Sequence, residues 1–273
     1  MGTEAYRSLY GDLTKLKDVS LLDNPAGGSG ADVALLNLLL AVSEAVDRHC
    51  NRHFYALTET RWFDGTGETV LPLPDAIAVS SVRSDDDETG NYSTSWASSE
   101  YHLLPLNASP EEHWGRPYHA LRVRGNGPRQ RFERGPARYE VQGRWGFGER
   151  LEYARSRLRS SLSETATLLD VSNGADFAVG QTIAAGPERM LVRTVSSNRL
   201  TVTRGLNGTS PQQHSLNDTL YIVRWPAPIE RAALINAARL WTRAPAFEPF
   251  YVDADLDTDV RLLLEPYRLG GVA

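Results

Sequence analysis

The period of the apolar residues changes twice along this chain, and a fold of one secondary-structure class cannot satisfy both changes. Up to about Arg52 apolar residues recur at three- and four-residue spacing, the repeat that lines one face of a helix. Tyr6, Leu9, Tyr10, Leu13 and Leu16 make a first stripe. Asp23 to Gly30 (DNPAGGSG) is a loop by its turn chemistry. A longer helix is predicted from Ala31 to about Arg52, offering Val33, Leu36, Leu39, Leu40, Val46 and Cys50 to its buried side. Leu35 and Leu38 widen that stripe, as expected of a helix covered on several sides.

From Phe54 the period falls to two. Phe54–Phe63, Val70–Leu73, Ile77–Arg83, Tyr101–Leu104, Ala120–Arg124 and Tyr139–Trp145 read as short strands, with an acidic polar loop at Ser84–Ser99. Residues 150–163 form an arginine-rich connector that could hold a short helix. Thr167–Val171, Gln181–Ile183, Arg189–Val195, Arg199–Thr203 and Thr219–Val223 follow, punctuated by glycine turns, as in a small barrel or sandwich. The helical period returns at Pro228 and runs to Arg243, with Ile229, Ala233, Leu234, Ala237, Leu240 and Trp241 as its stripe. A short helix at about Thr258–Tyr267 follows the acidic run Asp253–Asp259. The expected fold is α+β. N- and C-terminal helices pack as one layer (1–53 and 226–273), with a small β domain (54–150) and an inserted β-barrel or sandwich module (162–225).

Composition narrows the function classes. A hydrophobic share of 41% and a charged share of 23% are those of an ordinary globular chain. The net charge of −5 argues against tight binding of nucleic acid, which asks for a basic face. Cys50 is the only cysteine, so neither an internal disulfide nor a thiolate zinc cluster can form. Met1-Gly2-Thr3-Glu4 has no basic-then-apolar secretory pattern, and Ala34–Val46 is too short to span a bilayer. The expectation is a protein made in the cytoplasm, with no membrane partner.

Each constellation that could carry chemistry lacks a component. Gly27-Gly28-Ser29-Gly30 precedes a helix without the lysine of a phosphate loop. Asp253, Asp255, Asp257 and Asp259 alternate like a calcium loop, but Thr258 stands where its glycine belongs and Leu264 where its glutamate belongs. Carboxylates gathered at a helix start suit the dipole equally well. His49 and His53 have zinc spacing but no third ligand in view. No Gly-x-Ser-x-Gly elbow is present. The expectation is no enzyme, no cofactor and no metal.

Three stretches, in this order, resemble the head–tail connector (adaptor or head-completion) proteins of long-tailed bacteriophages. The first is the helical pair closing on Ala45–Phe54 (AVDRHCNRHF). The second runs from Arg61–Gly65 (RWFDG) through Val70–Pro74 (VLPLP) and Ile77–Val82 to Tyr101–Pro105 and Tyr139–Phe147. The third is Pro228–Leu234 (PIERAAL), Trp241–Arg243 and Val260–Arg268 (VRLLLEPYR). Together they cover about two thirds of the chain. The chain departs from the family by placing Leu162–Trp225 between the second and third stretches. That insert is similar to a β module of phage structural proteins through Phe177–Gln181, Glu188–Met190 and Leu200–Thr209.

The resemblance implies a virion protein of the neck. It would form a dodecameric homo-oligomeric ring under the portal protein, meet the next neck protein (a stopper or tail-completion protein) and let genomic DNA pass. The ring interface is expected at Leu36, Leu40, Arg48, Arg52, Arg239 and Trp241. The portal contact is expected at Asp253, Asp255, Asp257, Val260, Leu263, Leu264, Tyr267, Arg268 and Leu269. The acidic balance would suit a channel wall that repels phosphate. The alternatives are another neck, tail or capsid-surface protein with a host- or glycan-binding β module, or a hydrolase with paired carboxylates.

Overall fold

The computed structural model describes residues 7–18, 29–113, 115–243 and 258–269. The chain divides into two compact units, one of residues 1–52 and 151–273 and one of residues 53–150. Helices combine with two antiparallel sheets, so the fold is α+β.

Residues 53–150 form a sheet from β1 (Leu57–Gly65), β2 (Val70–Ser84), β3 (Thr94–Trp96), β4 (Tyr101–Leu104), β5 (Tyr118–Val123) and β6 (Gly135–Trp145). The order is β1-β6-β2-β5-β4, with β3 also paired to β2. The two strands expected at Val70–Leu73 and Ile77–Arg83 are one strand. Pro72 and Pro74 interrupt its apolar pattern, and the register slips between Pro72 and Ala76 as β2 leaves β5 for β6. A proline cannot donate to a ladder, so the break in pattern marks a change of partner and not an end.

The expected loop Ser84–Ser99 contains β3, which buries Trp96. Trp96 stacks on Phe132 with centroids 5.0 Å apart, and Tyr139 meets both rings edge-on. Trp145 is fully buried and satisfies its indole N–H on the Glu59 carbonyl at 3.0 Å.

The second sheet is built from β7 (Arg150–Arg157), β8 (Leu168–Asp170), β9 (Thr182–Ala185), β10 (Glu188–Ser196), β11 (Arg199–Thr203) and β12 (Thr219–Arg224). Its order is β7-β12-β9-β10-β11-β8. The outer strands β7 and β8 are linked past their ends by the bridge Leu158↔Val171, and the sheet is not a closed barrel. The expected helix within 150–163 is strand β7. Ala154, Ser156 and Leu158 are buried while Arg155, Arg157 and Arg159 are exposed, a period of two that the arginine-rich composition conceals. Leu158, Leu162, Leu169, Phe177, Met190, Leu200 and Ile222 belong to the core of this module.

The Thr203–Thr209 segment owes its composition to one buried carboxylate. Glu188 is fully buried and accepts two hydrogen bonds from Arg204, at 2.6 and 2.7 Å. His214 Nε2 lies 2.8 Å from the same carboxylate, and the Gln212 N–H donates to it at 3.1 Å. Arg204 also donates to the carbonyls of Ser163, Ala166 and Gln212. Gly205 has φ +66°, and a Cβ there would sit 3.0 Å from both Pro211 Cδ and the Thr209 carbonyl, so glycine is required at the turn. Thr209 Oγ1 accepts from Arg189 N–H and donates to the Leu206 carbonyl.

The helices of this unit are α1 (Leu13–Asp18), α2 (Ser29–Cys50), α3 (Ala227–Arg243) and α4 (Thr258–Leu264), the last continued by a 3-10 turn at Glu265–Tyr267. α2 packs on α3, and α4 packs on both. The buried side of α2 is Leu35, Leu39, Val42, Val46 and Cys50. Leu36, Leu38 and Leu40 are half-buried and Val33 is 64% exposed, so the expected buried face was rotated from the real one.

The N-terminal segment fastens the β module to these helices. Ser8 N–H donates to Asn207 Oδ1, Asn207 Nδ2 donates back to Ser8 Oγ at 2.8 Å, and Thr182 Oγ1 donates to Ser8 Oγ. Leu13 N–H donates to the Val179 carbonyl, and Gln181 donates to Asp12. On the helical side, Tyr10 N–H donates to Ser43 Oγ, its hydroxyl donates to Asp47, and its ring edge meets Trp225 at 5.2 Å.

Burial pushes Asp47 up to about 7 in spite of the Tyr10 hydrogen bond. The folded chain therefore holds a proton on Asp47 that the unfolded chain releases near 3.8. This contribution is complete below about pH 4 and is lost as the pH rises through about 7. Between pH 6 and 8 the helical unit should lose roughly 1 kcal/mol through this group. Asp47→Asn, which keeps an oxygen for Tyr10, should flatten that slope, as read from urea midpoints at the two pH values.

Candidate assembly surfaces

The features of the described residues that bear on function are surfaces. Among the described residues no three His, Cys, Asp or Glu side chains gather to hold a metal. His53 turns to Tyr55, stacking on its ring at 4.7 Å with Nδ1 2.8 Å from its carbonyl. Burial pushes the Cys50 thiol up to about 11, so it is not a nucleophile at neutral pH. Of the alternating aspartates only Asp259 lies within the described residues. Arg239 binds both its oxygens, at 2.9 and 3.3 Å, and so holds its carboxyl below the usual range.

The outer side of α2 is the first surface. Val33, Leu40, Glu44 and Arg48 are spaced by seven, four and four residues and share one face, opposite Leu35, Leu39 and Val46. Leu36 lies at its margin, half-buried. Arg48 is exposed, 3.9 Å from Glu44, and Arg52 is half-buried. Val33 belongs to this surface and sequence reasoning assigned it inward. With leucine at 35, 36, 38, 39 and 40, the apolar arc is too wide to phase from the pattern alone.

On α3, Arg239 and Trp241 are half-buried, and Arg239 is committed to Asp259 of α4. That ion pair ties the two helices together within the subunit.

The α4 segment is the second surface. Asp253, Asp255 and Asp257 lie outside the described residues. Val260 and Leu264 are buried in the chain's own helical layer. Leu263, Tyr267 and Leu269 are half-buried and Arg268 is exposed. Leu269 N–H donates to the Cys50 carbonyl at 2.9 Å, so the segment closes on the end of α2. The most exposed apolar side chain here is Leu262, at 70%.

A third surface is the tip formed by Ser84–Ser99 and its neighbours. Asp85 accepts from the N–H groups of Thr89 and Gly90, and Arg138 donates to Glu88 and to the Asp86 carbonyl. Arg129 lies over the Trp96 ring at 5.0 Å. These bonds give the acidic tip a defined shape.

No known protein family matches this sequence, and no curated protein matches it. Solved structures resemble it, two of them as follows. One is described as the neck of an empty gene transfer agent particle computed with C6 symmetry. It is 12% identical, with 96% of this chain and 90% of that chain covered and a TM-score of 0.47. The other is described as the virion of a native gene transfer agent particle. It is 15% identical, with the same coverage of 96% and 90% and a TM-score of 0.43. Among the described residues no helix is long and apolar enough to cross a membrane.

Proposed function

We propose that this chain is a structural subunit of the neck of a tailed-phage-like particle, without enzymatic activity. Copies form a closed ring between portal and tail and continue the DNA channel. The observation that carries this reading is the joining of the two ends of the connector-like pattern. The α2 helix and the α3–α4 pair, remote in sequence, pack as one layer, and Leu269 closes on Cys50. That layer keeps an apolar outer strip at Val33, Leu36 and Leu40, which a second copy can cover. A ring needs such a heterologous contact, in which one face of a copy meets a different face of the next. The β module is fastened to the helices through Ser8 and Asp12, which favours a part in the ring over a free-standing host-binding domain.

A cryo-EM map of the intact particle tests the assignment. A dodecameric ring of this chain between portal and tail is the expected result. Its appearance at the tail tip or on the capsid surface would reject the neck role. The portal-facing residues on this reading are Leu262, Leu263, Tyr267, Arg268 and Leu269, with Asp253, Asp255 and Asp257 leading into them. Because Val260 and Leu264 are core, deleting 253–273 would also uncover the helical layer, so point variants are the cleaner probe. Leu262→Asp should fold normally and reduce attachment to filled heads by about an order of magnitude, a loss of roughly 1.4 kcal/mol at the contact. Unchanged attachment would remove α4 from the portal contact.

A further inference from the structure

We propose that Arg155, Arg157 and Arg159 form a contact row for the phosphodiester backbone of duplex nucleic acid. The sequence Arg155-Ser156-Arg157-Leu158-Arg159 would scatter its cations around a helix. As strand and strand extension it buries Ser156 and Leu158 and exposes all three arginines. Backbone bonds hold the row in place. Arg157 N–H donates to Ser172 Oγ, Ser172 N–H donates to the Arg157 carbonyl, and Arg159 N–H donates to the Asp170 carbonyl.

The carboxylates beside the row are already engaged. Glu152 binds Arg224 at 2.8 Å and Asp170 binds Arg199 at 2.8 Å. Among the described residues no ion pair takes up the guanidiniums of Arg155, Arg157 or Arg159. Arg155 still feels the Glu152 carboxylate, but in a chain of net charge −5 three neighbouring cations outside any described ion pair are a local reversal of sign.

Charge and spacing together select the ligand. Alternate residues of a regular strand stand about 6.6 Å apart, the step from Arg157 to Arg159, while Arg155 enters the row from a backbone of φ +58° that departs from it. Successive phosphates on one strand of a duplex rise about 3.4 Å along the axis, and the winding of the backbone lengthens their true separation toward the strand's two-residue step. Arginine also suits phosphate better than lysine, through its planar fork of donors. Three such contacts per copy give weak, sequence-independent, salt-sensitive binding, which lets a duplex slide. The row stands on its own geometry. Only its assignment to genome passage rests on the neck reading.

The test is fluorescence anisotropy with a labelled random-sequence duplex at low salt, using the full chain. Wild type should bind with an affinity that falls as salt rises. The triple variant Arg155→Ser, Arg157→Ser, Arg159→Ser should lose at least about tenfold in affinity and reduce the salt slope by roughly 2–3. The triple lysine variant should retain a measurable share of both, and circular dichroism should show all three proteins folded. No salt-dependent binding by wild type, or equal affinity and slope in the serine variant, would overturn the proposal. Binding of an alternating-aspartate peptide in place of the duplex would overturn it in favour of an acidic protein partner. Duplex binding that persists when cryo-EM finds no ring at the neck would leave the row standing and reject only the neck reading.

Discussion

Leu39→Asp should unfold the helical layer. Leu39 has no exposed surface and sits on the side of α2 that faces α3, beside Leu35, Val42 and Val46. The substitution removes a buried aliphatic side chain, worth about 2–5 kcal/mol, and asks the core to accept a carboxylate with no partner. The combined cost, on the order of 5 kcal/mol, is comparable to the whole stability of many domains. Leu36→Asp is the control. Leu36 is half-buried, its carboxylate would reach water, and the expected loss is about 1–2 kcal/mol. Urea midpoints followed by helical circular dichroism compare the two. Equal losses would mean that α2 is rotated from the face described above.

Glu188→Ala should be nearly as damaging, and for an electrostatic reason. Arg204 is almost wholly buried and binds Glu188 through two nitrogens, with His214 and the Gln212 N–H on the same carboxylate. Removing one partner of a buried ion pair leaves the other charge uncompensated, at a cost of about 3–5 kcal/mol. The double variant Glu188→Ala, Arg204→Ala should therefore be less destabilised than the sum of its parts. Additive losses would show that the two residues act independently.

The pH dependence supplies a second reading of the same network. Burial alone would push Glu188 up, but the hydrogen bonds from Arg204, His214 and Gln212 outweigh it and hold the carboxyl below its ordinary 4.5. Its contribution is thus complete above that value and is lost as the pH falls through the lowered one. The wild-type module should weaken in acid by more than the Glu188→Ala variant does. Asp47 works in the opposite direction, so the two variants separate the acidic and neutral limbs of the stability profile.

Much of the secondary structure was legible because it follows a local period. Tyr101–Leu104 and Arg199–Thr203 are strands with the bounds expected of them, and α3 begins one residue before the expected Pro228. The failures have specific causes. Strand β7 was hidden because arginine and serine are compatible with a helix, and only burial of Ala154, Ser156 and Leu158 reveals the period of two. Strand β2 was split because Pro72 and Pro74 imitate an ending. The face of α2 was misphased because leucines cover too much of its circumference.

The assembly surfaces were less legible than the elements. Val260 and Leu264 look like the rest of the apolar VRLLL run, but the phase of α4 against α2 and α3 sends them inward and leaves Leu262 in solvent. Arg239 looks like a surface cation, and its pairing with Asp259 depends on where α4 docks.

By itself the sequence determined the alternation of helix, strand and helix, the α+β class and the turn glycines, because backbone geometry imposes those periods locally. Tertiary structure alone decided which apolar face is core, which charge meets which, and that Ser8 fastens a module through Asn207, 199 residues away. Such contacts depend on the path of the chain through space, and a residue's type carries no record of the neighbour that a distant segment will bring to it.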